Sequence, residues 1–171
     1  MLSKEVTKLL NEQINKEFYS SYLYLDMSNY YDLKNLNGFA NWFKVQAQEE
    51  RDHALLFMNY LQNNNEEIKL TAIAAPDKAY NDFKAPLEAS LQHERMVTAS
   101  IYNIYEEASK QRDFRTLQFL NWFVTEQGEE EKNAEDLIDR YELFGYDAKS
   151  LYLLDAELAA RVYAAPTLVL D

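Results

Sequence analysis

The stretch Gln46-Ala47-Gln48-Glu49-Glu50-Arg51-Asp52-His53 constrains this chain more than any other. Positions 39, 43, 46, 50, 53, 57 and 60 alternate in steps of four and three. That is the spacing of the inward face of a bundled helix. Phe39, Phe43, Phe57 and Tyr60 fill the ends of this seam. Glu50 and His53 stand in its middle, one above the other. Burying an unpaired carboxylate is costly, whereas metal binding compensates it. Glu-x-x-His on a core seam is an established arrangement for metal sites in helical bundles.

Three more seams of the same spacing accompany it. Ser3 is suited to cap a first helix running to about Asp32, with Leu10, Ile14, Glu17, Ser21, Tyr24, Ser28 and Tyr31 inward. Asn35-Leu36-Asn37-Gly38 reads as a turn into a second helix, which ends near Asn63. From Asn63 to about Lys84 the periodicity stops. A helix of ~27 residues is ~40 Å long. A connection of ~20 residues can reach up to ~65 Å, so it can run the length of a bundle and start the third helix parallel to the second. That third helix opens near Pro86, with Leu87, Leu91, Glu94, Thr98, Ile101, Tyr105 and Ala108 inward. After a turn at Lys110–Asp113, with Asp113 as cap, the fourth carries Leu120, Phe123, Gln127, Glu130, Ala134, Leu137, Tyr141 and Phe144. Gly145 is expected at its C′ position. A short fifth helix spans about Ala148 to Val162, Pro166 ends any helix, and Thr167–Asp171 is an apolar tail. Only three Gly and three Pro in the chain suit long helices. The expected fold is all-α: an up-down-down-up four-helix bundle with a long crossover and a short C-terminal helix.

Each seam carries metal-ligand types: Glu17; Glu50 and His53; Glu94; Gln127 and Glu130. Glu17 and Glu94 lie roughly 19 and 17 residues before their turns, and the other four roughly 14 to 19 after, so all six share one level to within about two turns. Carboxylates with one imidazole and no thiolate suit Fe²⁺, Mn²⁺ or Zn²⁺. Four carboxylates balance two divalent ions, which makes Glu50 the expected bridge. The competing reading is a buried hydrogen-bonded network with some carboxylates protonated. Glu49, Glu126 and Glu129 flank this group and offer a second, more open cation site or a solvated acidic face. Tyr24, two turns from Glu17, is either a hydrogen-bond or electron donor to the metals or a core tyrosine. Trp122 is assigned to packing, and His93, off the seam, to the surface.

The remaining numbers exclude classes of function. A length of 171 residues suits one domain, with the bundle at about 3–145 and the fifth helix and tail at about 146–171. A net charge of −12 disfavours nucleic acid and anionic lipid as partners. With no cysteine there is no disulfide scaffold or thiolate site. No apolar run approaches the ~20 residues of a membrane span. Met1-Leu2-Ser3-Lys4-Glu5 is not the start of a secretory leader, so a cytoplasmic location is expected.

These residues resemble the bacterial non-haem ferritins over nearly the whole chain. The resemblance rests on Leu10-Asn11-Glu12-Gln13 with Glu17 and Tyr24, on Gln48-Glu49-Glu50 with His53, and on His93-Glu94. It extends to Glu126-Gln127 with Glu129-Glu130-Glu131-Lys132 and to Leu151-Tyr152. It implies an iron-storage protein and ferroxidase that oxidises Fe²⁺ with O₂, or H₂O₂, and stores ferric mineral in a homo-oligomeric cage of 24 chains. It implies a first iron site of Glu17, Glu50 and His53, and a second of Glu50, Glu94 and Glu130 with Gln127 close by. Glu49, Glu126, Glu129 and Glu130 match a third site, which would modulate turnover. Arg51 replaces the methionine that ligates haem in bacterioferritins, so no haem is implied. Gly128 stands where this branch often has histidine.

Two other classes compete: a di-iron oxidase or peroxidase acting on a diffusible substrate, and a purely structural bundle. Leu151, Leu153, Leu154, Leu158 and Val162 form one apolar stripe that the bundle does not need. The stripe, extended by Leu168, Val169 and Leu170, is expected to be covered by other copies of the chain.

Overall fold

The computed structural model describes residues 2–170. Met1 and Asp171, the ends of the leader and tail readings above, lie outside the described residues. Five helices follow in order: α1 (Lys4–Asp32), α2 (Asn37–Asn63), α3 (Ala85–Lys110), α4 (Phe114–Phe144) and α5 (Ala148–Leu158). Among the described residues there is no strand, and no helix is long and apolar enough to cross a membrane.

The ends of the long helices follow local chemistry. Ser3 Oγ accepts the Val6 N–H at 3.1 Å, and Asp113 Oδ1 accepts the Thr116 N–H at 3.2 Å. The first three helices end with a residue in the left-handed region: Asn35, Asn65 and Arg112, at φ 59°, 56° and 54°. In each case the next N–H returns to a carbonyl five residues back: Leu36 to Tyr31, Glu66 to Leu61 and Asp113 to Ala108. This is the Schellman closure that satisfies the last carbonyls of a helix. Asparagine tolerates that conformation well; Arg112 is the exception.

Hydrogen bonds along α1 trace the topology. Ser21 donates to Ala47 O at 2.6 Å and Ser28 to Ala40 O at 2.8 Å, so α1 and α2 run antiparallel and closely packed. The crossover, residues 64–84, then climbs α1. Asn11 donates to Glu67 O at 3.1 Å, Asn15 to Ala72 O at 3.0 Å, and Tyr31 to Phe83 O at 2.6 Å. It thus starts at the N-terminal end of α1 and finishes at its C-terminal end, where α3 begins parallel to α2. The up-down-down-up order follows.

The apolar core lies in two clusters. One gathers Leu10, Ile14, Phe57, Leu61, Ile101, Leu120 and Phe123; the other gathers Leu23, Met27, Phe39, Phe43, Leu87 and Leu137. Polar side chains occupy the level between them.

Four expectations change. Gly38 is the second residue of α2 and not part of the turn. Its missing Cβ admits α5, since a Cβ there would lie 1.6 Å from Asp155 O. Gly145 caps α4 at φ −78°, outside the left-handed region. A Cβ on it would meet the Tyr141 ring at 2.5 Å. Phe144 is exposed, so the α4 seam ends at Tyr141. The fifth helix stops at Leu158, and its stripe is not one continuous face. Leu154 and Leu158 are buried against this chain's own bundle, Leu151 is half-buried there, and Leu153 and Val162 are exposed. Asp155 Oδ1 accepts the Gly38 and Phe39 N–H groups at 2.8 and 3.0 Å, so α5 caps α2 of its own subunit. The tail also stays on its own chain: Leu168 and Leu170 pack on the bundle while Val169 points outward. That alternation is the signature of an extended segment.

Candidate metal centre

Burying Glu50 and His53 follows from their places between Phe43 and Phe57 on α2. The same logic buries Glu17 on α1, Glu94 on α3, and Gln127 and Glu130 on α4. All six are at most 5% exposed. Glu17, Glu50 and His53 each offer a ligand atom within 4.8 Å of the others, and so do His53, Glu126 and Glu130. His53 therefore stands between two potential ion positions. Glu94 joins the group through Tyr24, which donates to its Oε1, and through Gln127 Nε2, which donates to its Oε2 at 3.1 Å.

Amide side chains hold the carboxylates apart. Gln13 Nε2 donates to Glu17 Oε1 at 2.7 Å. Gln46 Nε2 donates to both Glu50 Oε1, at 3.0 Å, and Glu130 Oε2, at 2.8 Å. Glu17 Oε2 is buried and has no hydrogen-bond partner. A buried carboxylate oxygen without a donor, beside an imidazole and further carboxylates, is the feature a hard divalent cation would satisfy.

The electrostatics show the strain of this cluster without a cation. Burial, then the neighbouring Glu50 charge, pushes both Glu17 and Glu130 up to about 8. Burial, Glu50 and Glu130 also raise Glu94. Burial would raise Glu50 too, but His53, Gln46 and His93 together take it below the usual carboxylate range. Burial opposes charge on His53, yet Glu50, Glu17 and Glu130 lift it to about 10. The metal-free centre thus keeps one ion pair, Glu50 with His53, and protonated carboxyls around it. This protonated network is the very alternative the sequence left open, and it is the state a cation would replace.

Tyr24 is fully buried on the Glu94 carboxylate, with its ring against Phe43. Trp122 packs edge-on to His53, 5.5 Å between centroids. It also donates Nε1–H to Thr167 Oγ1 at 2.9 Å. Glu49, Glu126 and Glu129 line a cavity of about 260 Å³ that also reaches His53 and Glu130. Glu126 lies 4.0 Å from His53 Nε2.

His93 is not on the surface. It is 6% exposed, with Nε2 2.7 Å from Ser20 Oγ and Tyr19 and Tyr24 packed around its ring. Its position beside Glu94 was the available signal, since α3 presents two adjacent residues to the core at that level. Three further residues at the site were given no role from sequence: Gln13, Gln46 and Arg161. Gln46 stood on the α2 seam and Gln13 one position off the α1 seam. Arg161 carried no local signal; it comes from the segment after α5 and reaches Glu49 Oε2 at 2.6 Å.

Comparison with known proteins agrees with this geometry. The family model described as "Ferritin-like domain" matches residues 7–144. A "Bacterial non-heme ferritin" of Staphylococcus epidermidis is 40% identical over 163 residues, which is 95% of this chain and 98% of the relative. A "Probable bacterial non-heme ferritin-like protein" of Haemophilus influenzae is 38% identical over 158 residues, covering 92% and 96%. A solved open-pore ferritin from the hyperthermophilic archaeon Archaeoglobus fulgidus superposes with a TM-score of 0.92 at 40% identity, covering 94% of this chain and 98% of that one.

Proposed function

The chain belongs to the ferritin family, an iron-storage family, and from that premise we propose that it is a ferroxidase that takes Fe²⁺ as substrate and stores the ferric product in a cage of its own copies. The observation that carries this reading is the buried polar level. Glu17, Glu50 and His53 offer ligand atoms within 4.8 Å of one another there, Glu94 and Glu130 are buried beside them, and one Glu17 oxygen has no donor. Glu17, Glu50 and His53 hold one iron; Glu50, Glu94 and Glu130, with Gln127 beside them, hold the other. Glu49, Glu126, Glu129 and Glu130 form a third position that adjusts turnover. The cavity reaching the centre is walled by carboxylates, which suits an incoming cation better than an organic substrate.

The residues act by charge. Four carboxylates neutralise two Fe²⁺ ions in a water-poor core. Each iron gives one electron to O₂, which takes two electrons and the protons that bring it to peroxide level. The metal charge then rises by two while the carboxylates stay fixed in number. Oxide or hydroxide from water must enter, carboxylate binding weakens, and ferric iron moves on to the cage interior. Tyr24 holds Glu94 in place by its hydroxyl and is the nearest redox-capable side chain to that carboxylate.

Twenty-four chains of about 20 kDa would sediment near half a megadalton, and no haem absorbance is expected. The location is cytoplasmic. The decisive test is Glu50→Ala with anaerobic Fe²⁺ loading followed by O₂. Loss of the shared ligand should slow the fast phase by more than the roughly 10–100-fold that loss of an outer-sphere partner costs. A Glu50→Ala protein that oxidised its first two Fe²⁺ per chain at the unmodified rate would sink the assignment.

A further inference from the structure

The segment after α5 does something at the carboxylate cavity that packing alone does not require. Residues 164–167 line the cavity together with Glu126 and Glu129. Arg161 enters beside them. Its guanidinium donates to Glu49 Oε2 at 2.6 Å, to Gln46 Oε1 at 2.9 Å and to Trp42 O at 3.1 Å, and it lies 4.3 Å from the centre of the Trp42 ring. The segment is pinned on both sides of this contact. Asn41 donates to Arg161 O at 2.9 Å, Tyr163 donates to Asp52, and Thr167 holds Trp122. Arg161 is four-fifths buried, so its charge interacts with Glu49 largely unscreened by solvent.

We propose that Arg161 is a built-in counter-ion for the third cation position, holding Glu49 so that an ion binding there must displace the guanidinium. This rests on the reading of Glu49, Glu126, Glu129 and Glu130 as a cation site. A planar guanidinium, stacked on an indole and forked between a carboxylate and an amide, is held more firmly than an ammonium would be. The two iron positions at the buried level keep all their carboxylates, because Arg161 touches none of Glu17, Glu50, Glu94 or Glu130. The third position therefore fills last and releases first, and Arg161 determines how far it lags. Gln46 extends the link inward. Its amide nitrogen serves Glu50 and Glu130 while its oxygen accepts from Arg161, so displacing the guanidinium also frees one end of the residue that positions the bridging carboxylate.

The test uses full-length protein and Zn²⁺, which is spectroscopically silent, titrated by calorimetry. Unmodified protein should bind two ions per chain tightly and a third weakly. Arg161→Gln should tighten the third by at least about tenfold and change the first two far less, because a full positive charge has left Glu49 while Gln46 keeps its bonds to Glu50 and Glu130. Arg161→Lys should keep the third ion weak. A third-ion affinity within about twofold of the unmodified protein in Arg161→Gln overturns the proposal, as does equal tightening in Arg161→Lys, which would make the effect one of packing and not of charge. A second readout keeps Arg161 intact. Trp122→Phe leaves Trp42 as the sole tryptophan of the two. Its emission should stay constant through the first two ions and shift with the third, as the guanidinium leaves the ring. A third ion that binds without that shift also overturns the proposal. Absence of the first two tight ions would instead refute the reading of the buried centre, and this proposal with it.

Discussion

Loading the buried centre with divalent metal should release about four protons per chain at pH 7. Without metal, Glu17 and Glu130 sit at about 8 and Glu94 is also raised, so these three carboxyls are largely neutral at pH 7. His53, at about 10, is an imidazolium, and Glu50 is ionised. The centre is therefore electrically neutral when empty. Two divalent ions bring four positive charges into the same volume. Neutrality is kept only if Glu17, Glu94, Glu130 and His53 each give up a proton. Stripping Glu17, Glu130 and His53 costs about 7 kcal/mol at pH 7, to which Glu94 adds, and the metal must repay it. The cost grows as pH falls. The two-ion association constant should drop by about four decades per pH unit near pH 6, and less steeply above pH 8, where Glu17 and Glu130 are already ionised. Calorimetric Zn²⁺ titrations in buffers of different ionisation enthalpy count the protons directly. Release of fewer than about two would mean that the carboxylates are already charged in the empty centre. The account of burial given for them would then be wrong.

Three other outcomes follow from the same structure. Raised values for Glu17, Glu130 and His53 mean that the metal-free fold holds protons the unfolded chain has lost. Its stability should fall between pH 6.5, above which the opposing effect of the lowered His93 fades, and pH 8, by about 3 kcal/mol per unit in denaturant melts; a flat profile would refute this. Gly128→Ala should stabilise the chain by about 1 kcal/mol in the same melts, because its Cβ would meet nothing within 4 Å and the helix gains a better former. Gly38→Ala should destabilise it by roughly 1–3 kcal/mol and expose the C-terminal segment to protease, since α5 must move off the α2 N-terminus; unchanged digestion would count against that docking.

What could be read from the sequence was whatever one helix states about itself. The four-three spacing located the seams, and the polar residues at matched depth marked the level of the centre. Ser3 and Asp113 announced their helices because a cap bonds three residues on. What could not be read depends on partners far away in the chain. His93 looked peripheral because its reason for burial, Ser20, sits on another helix. Leu154 and Leu158 looked like an assembly face because the missing Cβ of Gly38, which lets α5 dock, lies over a hundred residues earlier. Arg161 was a lone charge in an apolar segment until Glu49, Gln46 and Trp42 were placed around it. Gln46 was visible on the seam, but its double donation to Glu50 and Glu130 needs the fourth helix in position.

The split of the apolar core into two clusters has a mechanical consequence. Dispersion and hydrophobic contact act only between touching apolar groups, so neither passes across the polar level that separates the clusters. Each end of the bundle is in effect its own oil drop. One is closed by the α1–α2 turn and α5, the other by the α3–α4 turn and the root of the crossover. The helical backbones cross the waist, but with no metal the side chains there join mainly through hydrogen bonds, the Glu50–His53 ion pair and the ring contacts of Tyr24 and His53. An ion pair of iron, ligated from all four helices, would rivet the two halves together. Amide exchange in the empty protein would then report two opening units, and in the loaded protein one.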